Sequence, residues 1–505
     1  MLSILFATTL AAAPEWTLIA FPRASRSPGP APMEAVLLDA AHLDLDGAFR
    51  PAALEIPEPA IPPAIFQQML DETMRQRGFK LETRPQAGLL LARGDAAAIE
   101  VARALVADLD RQTAAFEIDL EVTLRTAGAP ETKWRRRVTA GSEVFLGSRA
   151  SRPFVAGFDV QVAQDAGQAE PRIGSAISGT GLHLRATRVA GGSRVFLEGV
   201  FDSAAIGAVE NFDPETPDMG VFEQPRVDSA QIVFSGAMES GGALEVRLTD
   251  AAHLAGESLL SVRATARPDA APSNDGWVLL DLAFTSLAPR PLVPVEPGLA
   301  FVSPGGEPEA GGAVLTPATL ATLLEADRAA SEGRGGRATL VWSRSLLAIP
   351  RSDTARIESA RGLVRVLEEA RATTQRANLA CGTLRASFPV SMGRTARFTA
   401  GAERPYLTDY GLEVAPQIWM PSPRVERSFD GLSAEISFVG TSLALEAWRT
   451  TTPEVAVATR ESAQMGRLQL PRRTRVTGSG RTAAGDPPAV VFDDGLALTF
   501  TVGAL

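Results

Sequence analysis

The side chains able to do chemistry are few and scattered. His42, His183 and His253 are the only histidines in 505 residues, Cys381 is the only cysteine, and Lys80 and Lys133 are the only lysines. A catalytic zinc or a hydrolase triad needs imidazole held beside further ligands or a nucleophile. Here His42 and His253 lie in polar contexts far apart, and His183 sits between Leu182 and Leu184 on a strand pattern that turns it to the wet face. A single cysteine excludes an internal disulfide and a cysteine-cluster metal site. On an alternating strand, Cys381 reads as a small apolar packing residue. Asp44-x-Asp46-Gly47 begins like a calcium loop but lacks the bidentate Glu at the required spacing. The acidic stretch 210–218 reads as a solvated loop rather than a cation site. The glycine-rich pieces 333–336 and 478–485 lack the Gly-Lys-Ser/Thr ending of a phosphate loop, and no Gly-x-Ser-x-Gly elbow joins a strand to a helix. The expectation is a non-enzymatic protein with no catalytic, cofactor-binding or metal residues.

Composition agrees. Apolar residues make up 45% and charged residues 21%, enough for ordinary cores. A net charge of −10 argues against nucleic acid as a partner. Leu2 to Ala13 is an apolar run ending in small residues before Pro14, the pattern of a secretory signal over 1–13, although no basic residue precedes it. A buried N-terminal strand is the competing reading.

The elements that would position any site come in two copies. Residues 89–110 and 347–368 align without gaps, with 11 of 22 positions identical, including Arg93/Arg351, Asp95/Asp353, Ile99/Ile357, Arg103/Arg361 and Leu109/Leu367. Smaller matches continue downstream: Thr123-Leu124-Arg125 with Thr383-Leu384-Arg385, Thr139-Ala140-Gly141 with Thr399-Ala400-Gly401, and Gly179-Thr180 followed by Leu182 and Leu184 with Gly440-Thr441 followed by Leu443 and Leu445. A spacing near 258 residues is duplication of a whole unit, not a solenoid repeat.

In the first unit a helix opens at Pro63 with the stripe Ile65, Phe66, Met69, Leu70 and Met74, and stops at Gly78. Short strands follow near 79–83 and 88–93. Asp95 caps a second helix to about Arg111, with Ile99, Ala102, Leu105, Val106 and Leu109 inward. Phe116, Ile118, Leu120, Val122 and Leu124 then alternate with Glu117, Asp119, Glu121, Thr123 and Arg125, a strand with one dry and one charged face. The second unit repeats this with a helix at Leu320, Leu323 and Leu324, strands at 338–342 and 346–349, a helix carrying Ile357, Ala360, Val364 and Leu367, and a strand at 377–388. Short β segments with turn residues follow each, near 134–139, 143–147, 155–162, 180–189, 194–201, 229–235, 243–248, 258–265 and 277–287 in the first. The expected fold class is α+β: two tandem units, each a small αββαβ domain followed by an all-β, hairpin-rich module. The divisions are 14–58 as an extension, 59–126 and 127–302 for the first unit, 303–314 as a linker, and 315–388 and a shortened β module at 389–505 for the second.

A helix–strand–strand–helix domain whose second helix ends Val106-Ala107-Asp108-Leu109-Asp110 before an alternating strand resembles the ring-building N-domains of bacterial secretins. The following order also resembles the secretin domain: the turn at 139–141, the strand from Gly179 to Leu184, a hairpin through Val195, Leu197 and Val200, and the Pro225-Arg226-Val227 strand ending near Gly241-Gly242. The resemblance covers about 59–250 and, more faintly, 315–485. It implies a component of a type II or type III secretion or pilus apparatus in the periplasm or outer membrane. It implies self-association into a multimeric ring or channel, with other secretion or envelope proteins as partners. A family member carries one secretin domain behind several N-domains, whereas this chain has two units in tandem. Membrane contact is left open. Leu280-Leu282-Phe284 and Leu496-Leu498-Phe500-Val502 are the best lipid-facing rows, with a β-sandwich core as their plainer role. The alternative function is a soluble periplasmic scaffold or binding protein that reuses the architecture without a pore.

Overall fold

The structure, a computed structural model, describes residues 17–20, 43–44, 61, 63–86, 89–162, 167–212, 221–251, 254–268, 276–281, 284, 339–341, 346–414, 419–439, 442–451, 472–481, 489–492 and 496–504. The elements run β1 (Thr17–Ala20), β2 (Leu43–Asp44), α1 (Pro63–Arg77), β3 (Leu81–Gln86), β4 (Leu89–Gly94), α2 (Ala96–Ala114) and β5 (Glu117–Thr126). Then come β6 (Thr132–Thr139), β7 (Glu143–Val162), β8 (Gly167–Val189), β9 (Arg194–Phe212), β10 (Phe222–Glu239), β11 (Ala243–Ala251), β12 (Leu254–Ala266) and β13 (Trp277–Asp281). The later part has β14 (Thr339–Val341), β15 (Leu346–Pro350), α3 (Thr354–Arg371), β16 (Thr374–Cys381), β17 (Leu384–Ser391), β18 (Thr395–Val414), β19 (Trp419–Val439) and β20 (Ser442–Thr451). It ends with β21 (Arg472–Arg481), β22 (Ala489–Val491) and β23 (Ala497–Ala504).

The α+β expectation is overturned: the chain is mostly β, built on large antiparallel sheets. The helix–strand–strand–helix run does form, with α1 starting at Pro63 and Gly78 adopting φ 72° at its end. β5, however, does not complete that small sheet. β3 and β4 are joined by β1 instead, and β5 pairs with β12 from Ile118↔Ala266 to Thr126↔Ser258. The reason lies in its dry row. Ile118, Leu120, Val122 and Leu124 are all buried in the main core, beside Leu260, Val262 and Ala264 of β12. A three-stranded sheet under two helices has no comparable apolar surface to offer that row. The second small sheet repeats the first. β15 lies between β14 and β13, so a strand from before the sequence linker completes it, and α3 packs Ile357 and Ala360 on Val278, Leu347 and Ile349. The helix expected at Leu320–Leu324 lies outside the described residues.

Two sheets make the body. The first follows β22-β23-β16-β17-β11-β12-β5-β6, and the second β7-β8-β9-β10-β18-β19-β20-β21 with β2 added beside β8. Each half of the chain thus supplies four adjacent strands to each sheet, in the same order. β11–β12–β5–β6 of the first half matches β22–β23–β16–β17 of the second, and β7–β10 matches β18–β21. One apolar layer fills the space between the sheets, drawing Leu184, Leu197 and Phe234 from the first half and Phe388, Phe398 and Phe500 from the second. Fully burying such a side chain is worth about 1.5–3 kcal/mol. The halves therefore share a core rather than forming separate modules.

The downstream matches seen in sequence are out of register. The partner of the Gly141 turn is that at Gly393, because both have positive φ and the same closing hydrogen bond, Ser142 N–H to Thr139 O (3.0 Å) and Arg394 N–H to Ser391 O (3.1 Å). Gly401 instead sits in mid-strand opposite Gly431, as Gly147 does opposite Gly181. Leu443 and Leu445 lie on β20, in the position of Val195 and Leu197 on β9 rather than of Leu182 and Leu184. The segments expected at 143–147 and 155–162 are one 20-residue strand, and 377–388 is a hairpin that turns at Gly382, φ 61°.

Candidate functional site: the seam and the open sheet edges

Among the described residues no group of three or more His, Cys, Asp or Glu could hold a metal ion. His183 Nε2 lies 3.1 Å from Glu143 Oε2 on the neighbouring strand. His42, His253 and Asp46 are outside the described residues, as is most of the acidic stretch, of which Glu210, Asn211 and Phe212 end β9. Cys381 is buried in the core beside Leu379 and Leu498. The distinctive geometry lies where the two halves meet and where their sheets end.

The seam is two ladders. β10 pairs with β18 from Val227↔Glu403 to Val233↔Arg397, and β11 pairs with β17 through Arg247↔Ser387, Leu248↔Ala386 and Thr249↔Arg385. Beside them Ala237 N–H donates to Thr374 Oγ1 (2.9 Å), and Ser391 N–H donates to Ser235 Oγ (3.1 Å), with Ser391 wholly buried. Gly236 is required there. A Cβ on it would meet Leu244 Cδ1 at 2.9 Å and Pro389 Cβ at 3.1 Å. A buried charge cluster adds to this tie. Glu198 on β9 is bound by Arg185 of β8, whose Nε donates to Oε2 at 2.9 Å, and its other oxygen lies 3.1 Å from Arg394 Nη1 of the second half. All three side chains are at least 85% removed from solvent. Glu198 was not legible as a linker in the sequence. The one signal was its equivalence with Glu446 in the repeat, both following a leucine on matched strands.

The exposed face of the β5–β6 sheet carries the charged row read from the sequence, and its arginine partners come from this same chain. Asp119 is opposite Arg137 and Glu121 opposite Arg135 across β5 and β6. Arg137 Nε reaches Asp119 at 2.6 Å, Arg135 Nη2 reaches Glu121 at 2.7 Å, and Arg267 Nη1 reaches Glu117 at 3.2 Å. The Arg135 guanidinium holds the Glu121 carboxyl below the usual carboxylate range, and Lys133 with Arg125 does so for Glu131. Arg137 is raised by Asp119. Across the seam this face forms a shallow groove of about 380 Å³ lined by residues such as Arg247, Asn378, Arg385 and Thr501. Solvent screens exposed pairs of this kind, so they orient strands rather than hold the body together.

Among the described residues, β6, β7, β21 and β22 each have a ladder on one side only. Among these residues the ladders of both sheets therefore end at β6 and β7 from the first half and at β21 and β22 from the second. Of the rows proposed for lipid, Leu498 and Phe500 are core residues and Phe284 is buried with its ring 4.6 Å from that of Phe196, while Leu280, Leu496 and Val502 are partly buried against the apolar clusters. No helix among the described residues is long and apolar enough to cross a membrane.

No family model matches the chain, and no curated protein matches it. Among solved structures, the secretin-domain β-barrel of InvG from the Salmonella SPI-1 injectisome is similar over 51% of this chain and 90% of that one, at 11% identity and a TM-score of 0.23. The Salmonella SPI-1 type III secretion injectisome secretin InvG is similar over 41% of this chain and 80% of that one, at 10% identity and a TM-score of 0.19. These are weak similarities to secretin domains.

Proposed function

We propose that the chain is a non-enzymatic, self-assembling component of a bacterial secretion or pilus apparatus, exported to the cell envelope, where it forms a multimeric ring or channel. The observation that supports this most is the pair of four-strand blocks laid side by side, with edges at both ends of both sheets that have no partner strand among the described residues. Unpaired edges are templates for another chain, and soluble monomers usually blunt them. The secretin-like order of elements in the sequence points the same way, as does the scarcity of side chains for catalysis. Light scattering on the purified mature protein, with and without detergent, tests the reading. Assemblies of about ten or more chains are expected, in line with an interface above roughly 1,000 Å² per contact. Intact-mass measurement on protein from its native host should show the loss of roughly the first 11–13 residues, as export through a cleaved signal requires.

The internal burial of Leu498, Phe500 and Phe284 favours a second reading, a periplasmic scaffold that does not enter lipid. A compact monomer at micromolar concentration, unchanged by detergent, would leave that one standing.

A further inference from the structure

The seam inside the chain is also a template for a contact between chains. We propose that a second copy of this chain docks its β21/β22 end on the β7/β6 end of the first, in the register that already joins β10 to β18 and β11 to β17. This rests on the assembly reading above and names its partner and its geometry.

The register follows from the repeat. In the first sheet, Leu260 of β12 is matched by Leu498 of β23, because Leu260 pairs with Leu124 and Leu498 with Cys381, buried residues at the ends of the matched strands β5 and β16. Val246 is opposite Leu260 and Val490 opposite Leu498, so β22 continues Val490 as β11 continues Val246. β6 matches β17 through the turns at Gly141 and Gly393, which align Thr139 with Ser391. The internal pairs Arg247↔Ser387 and Leu248↔Ala386 then become Val491↔Arg135 and Phe492↔Trp134 between copies. The residue types suit these places. Val491 is 61% exposed, one of the few exposed large apolar side chains among the described residues, while Phe492 is already buried in the core and Trp134 is partly buried against it. In the second sheet, Gly147 matches Gly401 through their opposite glycines, and Gly478 matches Gly236 through Leu445 and Leu197. The internal pair Val233↔Arg397 becomes Arg475↔Glu143, basic opposite acidic. β7 lies close to β10 and β19 in the single chain without pairing to them, and among the described residues its ladder is with β8 alone.

Such a contact is heterologous, head to tail, and closes into a ring only if its rotation divides a full turn. Because each chain already holds two blocks, a closed ring contains an even number of blocks, twice its number of chains.

The test is a cysteine trap at the exposed pair, in a Cys381→Ala background. Chains carrying Val491→Cys and differently tagged chains carrying Arg135→Cys are assembled together and oxidised. The expected product is a mixed, reducible dimer that neither chain gives alone, and the double variant should yield a ladder of multimers. Arg247→Cys with Ser387→Cys in one chain should close an intramolecular bond and shows that the strand geometry supports a disulfide. Large assemblies by light scattering with no bond between positions 491 and 135 would overturn this register and leave the assembly reading intact. Absence of any assembly would overturn both.

Discussion

Glu198→Gln should destabilise the body far more than any surface charge change. Its carboxylate neutralises two guanidiniums, Arg185 and Arg394, which retain only 3% and 13% of their side-chain exposure. Glutamine fills the same space but removes the anion the two guanidiniums share, leaving Arg185 with Glu143 Oε1 at 3.8 Å. Removing one partner of a buried ion pair costs about 3–5 kcal/mol, chiefly because the charge left behind is uncompensated. For a cooperative body of some 200 residues, each kcal/mol moves the melting temperature by about 2–4 °C. The expected drop is therefore roughly 6–20 °C. Urea unfolding followed by tryptophan fluorescence should show a lower midpoint with an unchanged slope. Adding Arg394→Leu to Glu198→Gln should recover part of the loss, since it removes one of the two cations that Glu198 holds together. A loss below about 1 kcal/mol, or additive effects of the two changes, would refute the claim that these three groups form one water-poor cluster tying the halves together.

Other changes give sharper local tests. In Gly199→Ala a methyl would sit 2.4 Å from the Phe234 ring, and overpacking of that kind costs about 1–3 kcal/mol, readable as a lowered urea midpoint. Phe398→Ala, at a fully buried seam position opposite Ile232, should cost about 3–5 kcal/mol by the same assay. Glu121 and Glu131 have folded pKa values below their ordinary value of 4.5, so their contribution is present above that value and is lost as pH falls through the folded values. Melting temperature should thus decline below about pH 4.5, and Glu121→Gln with Glu131→Gln should flatten part of that decline. Cys381 should react with a thiol reagent only after unfolding, as a buried core residue; rapid reaction in native buffer would contradict its placement.

Local pattern was readable where one element decides it. The alternation at Ile118–Leu124 gave both the strand and its dry face, and the heptad-like spacing at Ala102, Leu105, Val106 and Leu109 gave the buried side of α2. Asp353 caps α3, its side chain accepting from Arg356 N–H at 3.2 Å, whereas the matching Asp95 makes no such bond. What sequence withheld was pairing. β5 carries nothing that distinguishes a neighbour at β4 from one at β12, because a dry row of branched side chains suits any buried sheet face. The pairing of β10 with β18 depends on residues far apart along the chain, and no local propensity reports on it. Long strands were read as fragments because Gly147, Ser148 and Ser151 interrupt the apolar alternation of β7 without interrupting its backbone ladder. The duplication was visible, but its downstream register was misplaced since short Thr-Ala-Gly and Gly-Thr strings recur in unrelated positions.

The seam also sets an order of events during synthesis. β10 and β11 leave the ribosome long before β17 and β18, and their edges have no partner until those strands appear. The nascent first half therefore passes through a stage with bare ladders and uncovered apolar residues such as Ile232 and Leu248, the kind of species that aggregates. Closing so distant a pairing is slow, since the entropy of looping the intervening chain is spent before the ladder forms. A chain of this design would favour being held unfolded until complete, so its yield should depend on the holding chaperones of its host more than its final stability would suggest.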